Sequence, residues 1–169
     1  LMKRKKLTAS MIALVMSVSL PMTTYAANWY LEDGSVTVNA DNSGQTVTQG
    51  GTSTPDEAPV ITQRESSVET GSTITINTSD NADANVTIKD INIKSSKDAI
   101  DVKGSSSANI TLEGDNKIFS ETGSALHVSD GNVTINGGGS LKAEIQDEPD
   151  SGYNHNAKIG SHENEDMSG

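Results

Sequence analysis

Three runs of one four-residue pattern constrain this chain more than anything else in it. They are Asn85-Val86-Thr87-Ile88, Asn109-Ile110-Thr111-Leu112 and Asn132-Val133-Thr134-Ile135, and they recur 24 and then 23 residues apart. Recurrence at a steady period of this size marks a stacked repeat, in which each unit buries its apolar edge only against the next. Within each run Val86/Ile88, Ile110/Leu112 and Val133/Ile135 alternate with threonine. Successive side chains of a strand point to opposite faces, so each apolar pair shares one face and the threonines take the other.

Two more short apolar stretches follow each run before it recurs. In the first coil they are Ile91-Asn92-Ile93 and Ala99-Ile100-Asp101-Val102; in the second, Lys117-Ile118-Phe119 and Ala125-Leu126-His127-Val128. Gly, Ser, Asp and Asn stand between them as turn formers. The chain therefore reads as all-β, a right-handed parallel β-helix with three strands per coil of about 23 residues. The third coil repeats the order with Ser140-Leu141-Lys142-Ala143. An acidic insertion from Glu144 to Asn156 then delays its last strand to Ala157-Lys158-Ile159-Gly160.

Asn85, Asn109 and Asn132 occupy equivalent places in the three runs. If coils stack about 4.8 Å apart, their amides are placed to bond as a structural ladder. The alternative is that Asn merely suits the turn before a strand.

The first 26 residues read as an export signal. Lys3-Arg4-Lys5-Lys6 is a positive n-region, Met11 to Leu20 a short apolar stretch, and Thr24-Tyr25-Ala26 a small-residue site with cleavage expected before Ala27. Residues 27–70 read as a looser strand and loop region able to cap the helix, and 71–169 as the coils. Leu1 ahead of Met2, and a stop at Gly169 within a turn-like segment, read as a partial reading frame with further coils beyond.

Four of the 12 basic residues lie in the signal and none of the 23 acids does, so the remainder carries 8 − 23 = −15. That charge excludes nucleic acid and anionic membrane surfaces as partners. The absence of Cys removes disulfides, thiol chemistry and cysteine zinc sites together. A single Phe and a single Trp leave little for a globular core, but stacked Val, Ile, Leu and Ala suffice for a narrow solenoid.

Val36-Thr37-Val38, the run from Gln45 to Gly50, the run from Ala58 to Gln63, the Asn-Val-Thr-Ile units and Ala157-Lys158-Ile159-Gly160, taken in order, resemble secreted repeat proteins of Firmicutes described as carbohydrate-binding domain-containing. The resemblance covers most of residues 29–169. It implies a parallel β-helix that binds plant polysaccharides such as cellulose or pectic acids, with calcium in some members. Lys158 and the acidic run from Ser161 to Asp166 depart from the glycine-rich close of such relatives.

Candidate sites follow from chemistry. Calcium takes about six to eight oxygen ligands, so turn carboxylates are the places to look. Asp90, Glu113 and Asp115 are the first choice as metal ligands because repeat alignment stacks them, and Asp80 and Asp83 the second. Ordinary turn roles are the competing reading for each. Sugar rings pack on aromatic platforms, which singles out Tyr153, Trp29 and Tyr30, the last two competing with a role as plugs of the solenoid's end. His127, His155 and His162 match no zinc spacing and read as outward turn residues. No catalytic residue is expected, although Asp98 with Asp101, or Glu113 with Asp115, can be written as acid pairs.

Together these point to a secreted or cell-surface, non-catalytic carbohydrate-binding protein with a polysaccharide as partner, and no membrane insertion after signal removal. A structural, adhesin-like stalk is the alternative. A polysaccharide lyase or hydrolase is the third class.

Overall fold

The computed structural model describes residues 26–79, 81–146 and 159–160. The strands are β1 (Asn28–Tyr30), β2 (Val36–Asp41), β3 (Gly44–Gln49), β4 (Thr52–Pro55), β5 (Val60–Thr62), β6 (Ile74–Thr78), β7 (Ala84–Lys89), β8 (Asn92–Ser95), β9 (Ile100–Gly104), β10 (Ser107–Glu113), β11 (Asp115–Ser120), β12 (Leu126–Val128), β13 (Asn132–Gly137), β14 (Ser140–Ile145) and β15 (Ile159–Gly160). A single 3-10 turn, Leu31–Asp33, follows β1.

Three sheets form. Sheet A runs β1-β5-β7-β10-β13, sheet C runs β8-β11-β14, and sheet B runs β4-β3-β2-β6-β9-β12-β15. The chain visits A, then C, then B, and returns to A one layer further on. Each return brings a strand beside its predecessor in the same direction, as β7 with β10, β8 with β11 and β9 with β12. This is a parallel β-helix, as the repeat spacing requires.

Each inward position becomes a column. Ile61, Ile88 and Leu112 stack in sheet A, Ile93, Ile118 and Ala143 in sheet C, and Val36, Ile74, Ile100 and Leu126 in sheet B. Most of these side chains are wholly buried. Layers about 4.8 Å apart let β-branched side chains of one coil rest on those of the next, so a thin interior still packs continuously.

The coil is slightly longer than the repeat suggests. Asn85 pairs with Asn109, 24 residues on, but Asn92 pairs with Lys117 and Ile100 with Leu126, at offsets of 25 and 26. The ladder expected of Asn85, Asn109 and Asn132 is therefore half right. Asn109 Nδ2 donates to Asn85 Oδ1 at 3.2 Å, whereas Asn132 lies opposite Ser107, and Asn109 faces Thr134. The turn from Val128 to Asn132 is one residue shorter than that from Val102 to Ser107, so β13 enters level with the first residue of β10. A two-residue slip preserves which side chains face inward, so Val133 and Ile135 still align with Ala108 and Ile110.

The region before residue 70 belongs to the solenoid more fully than its composition suggests. β1 and β5 extend sheet A, and β2 extends sheet B. The Gly/Thr/Ser-rich stretch forms the antiparallel hairpin β3–β4 along β2. Amide side chains fasten this end. Gln45 Nε2 donates to the carbonyls of Asp56 and Asn85, and its Oε1 accepts from the Asn85 N–H. Gln49 Nε2 donates to the carbonyls of Tyr30 and Gly34, and Gln63 Oε1 accepts from the Asn92 N–H.

Candidate functional site

Sheet C presents the most distinctive outer face. In β11 the side chains of Asn116, Ile118 and Ser120 point inward and are buried, so Lys117 and Phe119 point out. Register places Phe119 between Lys94 of β8 and Glu144 of β14, and Lys117 between Asn92 and Lys142. The chain's one Phe thus lies on the outer surface in a shallow trough lined by Glu69, Asn92, Lys94, Lys117, Phe119 and Glu144. Lys94 Nζ sits 5.8 Å from the ring centroid, within cation–π reach. Lys142 Nζ pairs with Glu144 at 3.0 Å.

The physical reason Phe119 faces out is its neighbours. Ile118 and Ser120 continue inward columns of Ile93 and Ser95. Ser120 Oγ donates to the Lys97 carbonyl and accepts from the Gly123 N–H, which ties that polar side chain to the interior. Alternation leaves Phe119 no choice. Three of the eight basic residues beyond residue 26, Lys94, Lys117 and Lys142, lie on this face with Glu144, on a chain of net charge −11.

Of the expected aromatic platforms, Trp29 and Tyr30 sit elsewhere. Trp29 shares the inward column with Ile61, packs against the core, and donates from Nε1 to Asp56 Oδ2 at 2.8 Å. It is half-buried on β1, the edge strand of sheet A among the described residues. Asp56, buried, also accepts from the backbone N–H groups of Ala27 and Ala58. Tyr30 faces outward, but the Arg64 guanidinium covers its ring 4.1 Å from the centroid. Arg64 is in turn held by Asp33 through bonds of 3.0 and 2.7 Å, and this bond lowers the Asp33 carboxyl below its usual range. Tyr153 lies outside the described residues, as do His155 and His162.

The expected metal ligands are engaged one by one. Asp90 Oδ1 accepts from the Asp115 N–H, Glu113 pairs with Lys89 at 3.1 Å, and Asp115 Oδ1 accepts from Ser140 Oγ. Asp83 Oδ1 accepts from the Ser107 N–H. Asp80 lies outside the described residues. These carboxylates bridge adjacent coils, as turn stacking brought them to do, yet they do not converge as a group of three among the described residues.

Convergence occurs instead on the outer face of sheet B. Asp101 of β9 and His127 of β12 are register partners. His127 Nδ1 lies 3.0 Å from Asp101 Oδ1 and 3.5 Å from Asp98 Oδ2. Burial works against ionisation of Asp101, but hydrogen bonds from Lys103 and His127 together outweigh it and hold the carboxyl below its usual range. Sequence spacing could have found this pair only through the 26-residue offset between β9 and β12, which differs from the offset of the Asn-Val-Thr-Ile runs. Compared with protein-family models, with curated proteins and with solved structures, the chain matches none.

Proposed function

We propose that this chain is a secreted or cell-surface carbohydrate-binding protein without catalysis, and that it holds an acidic polysaccharide on the outer face of sheet C. The observation that carries this reading is the outward Phe119 set among Lys94, Lys117 and Lys142. An aromatic ring offers the apolar face of a sugar a flat contact, and ammonium groups beside it suit carboxylate substituents on a polymer. A chain of net charge −11 repels such a polymer elsewhere, so the lysines also select the face. The trough is open and shallow, which suits a polymer passing across it better than a small molecule enclosed. The export signal read in residues 1–26 supports the location.

The test is retention of the full chain on immobilised pectic acid, cellulose and host glycans. Pectic acid should retain it, and added salt should weaken retention. Phe119→Ala and Lys117→Ala should each weaken binding about tenfold while leaving the melting temperature within a few degrees of the parent. No retention on any polymer would favour the structural stalk. Calcium held by Asp90, Glu113 and Asp115 is a separate proposal, supported by their placement on adjacent coils. Identical melting curves in chelator and in calcium, at matched ionic strength, would remove it.

A further inference from the structure

We propose that Asp98, Asp101 and His127 form a binding site for a divalent metal ion of the zinc class, on the outer face of sheet B and independent of the sheet C surface. Each residue offers one ligand atom, and the three atoms lie within 4.8 Å of one another. Ligands about 2.0–2.2 Å from a tetrahedral ion sit roughly 3.3 Å apart. The separations of 3.0 and 3.5 Å from His127 Nδ1 to the two carboxylate oxygens bracket that value.

Several features aim these atoms at a common point. The other oxygen of each carboxylate is held from outside the group: Lys103 Nζ binds Asp101 Oδ2 at 2.6 Å, and the Ser124 N–H donates to Asp98 Oδ1 at 2.6 Å. Bonds of this kind orient metal ligands before the ion arrives. Gly123 makes room for the Asp98 carboxylate, because a Cβ there would lie 2.5 Å from Asp98 Oδ1. Asp101 and His127 stand on paired strands of the solenoid, so their relative position is fixed by the ladder. The side chains are only 17 to 24% exposed, which removes part of the competing solvent.

Charge points the same way. Two carboxylate oxygens face one ring nitrogen, and that nitrogen carries at most one proton. A dication placed among them meets two carboxylates, that of Asp101 shared with the Lys103 ammonium, and the nitrogen lone pair at once. The donor set decides the metal's class. One imidazole with two carboxylates suits zinc, cobalt or nickel, whereas calcium wants more oxygens and magnesium a near-octahedral oxygen shell. Three protein ligands leave a position for water or for an oxygen of a bound molecule.

The test uses the full chain titrated with zinc chloride by calorimetry, after chelator treatment. One saturable zinc equivalent is expected, weakened at least about tenfold in His127→Gln and in Asp98→Asn. Asp41→Asn, at the exposed end of β2, should bind as the parent does, and millimolar calcium should not displace the zinc. Binding that survives His127→Gln within twofold, or the absence of saturable binding up to about 100 μM zinc, would overturn the site. Should a variant fold poorly, nickel added to the unmodified chain gives a second readout. Paramagnetic broadening should fall on Val102, Val128 and their neighbours. Broadening centred on Asp90 and Glu113, or on His155 and His162, would equally overturn it.

Discussion

Trp29 of β1 and Phe119 of β11 are both rings on solenoid strands, and they face opposite ways. Trp29 stands on β1, the edge strand of sheet A among the described residues, and shares the inward column with Ile61, with Asp56 as its hydrogen-bond partner. Phe119 stands in mid-stack on sheet C, where the coils above and below supply Ile93 and Ala143 to the inward column beside Ile118. A solenoid interior is narrow, so a ring is accommodated within it most readily at an end. A ring in the middle of the stack that faces outward contributes little to the core and is available for another surface.

The largest test of this contrast sets neighbours against each other. Ile118→Asp buries a charge in a column that has no partner for it and should abolish folding, a loss of more than about 4 kcal/mol. Phe119→Asp, one residue on and facing out, should stay within about 1 kcal/mol of the parent in chemical denaturation. Loss of folding in both would mean that Phe119 belongs to the core.

Next in size is truncation of the two rings. Trp29→Ala removes the ring and one donor to the buried Asp56 carboxylate, and should cost about 3 kcal/mol. Phe119→Ala should cost less than about 1 kcal/mol, measured from the same urea transitions. Equal losses would erase the distinction between end and flank.

A smaller effect tests how the N-terminal end is fastened. Gln45→Ala deletes three bonds that join the hairpin to Asp56 and β7, leaving the Asn85 N–H without its side-chain acceptor. A loss of about 2 kcal/mol is expected, with faster amide exchange in β3 and β4 than in β11. Unchanged exchange in the hairpin would assign its stability to Val47 packing alone.

The smallest effect is one of pH. Asp101 has its carboxyl lowered in the folded chain, so it favours folding fully above the ordinary carboxylate value of about 3.9. That contribution is lost as pH falls from there through the folded value. Asp101→Asn should therefore flatten the acid side of the stability profile slightly, and a profile steeper than the parent's would reverse the assigned direction.

Much of the architecture is legible in the sequence, because a β-strand's period of two and a coil's near-constant length both leave marks in it. β7 to β12 fall where the apolar stretches lie. The errors arise where two clocks differ. The Asn-Val-Thr-Ile runs repeat at 24 and 23 residues, but register between coils runs at 24 to 26, and the 25-residue offset between β10 and β13 leaves the third run two residues out of line. That slip removes Asn132 from the ladder without disturbing the inward face. The same difference hides the meeting of Asp101 with His127, since the runs give no offset that aligns them. Phe119 was readable as an outward residue once Ile118 was placed inward, but a lone Phe in an apolar stretch reads first as core. The hairpin β3–β4 carries no apolar alternation beyond Val47, so its composition resembles a loop while its hydrogen bonds make it a sheet edge.

The most direct test follows from the chain having a single Phe, whose ring protons form one resonance set. Titration of the full chain with an oligosaccharide of pectic acid should shift the Phe119 ring signals and the side-chain amide of Asn92 in a saturable way, with the Trp29 indole signal unchanged. A saturable shift at Trp29 or on sheet A with the Phe119 ring unmoved would contradict the account, as would no shift anywhere at millimolar oligosaccharide.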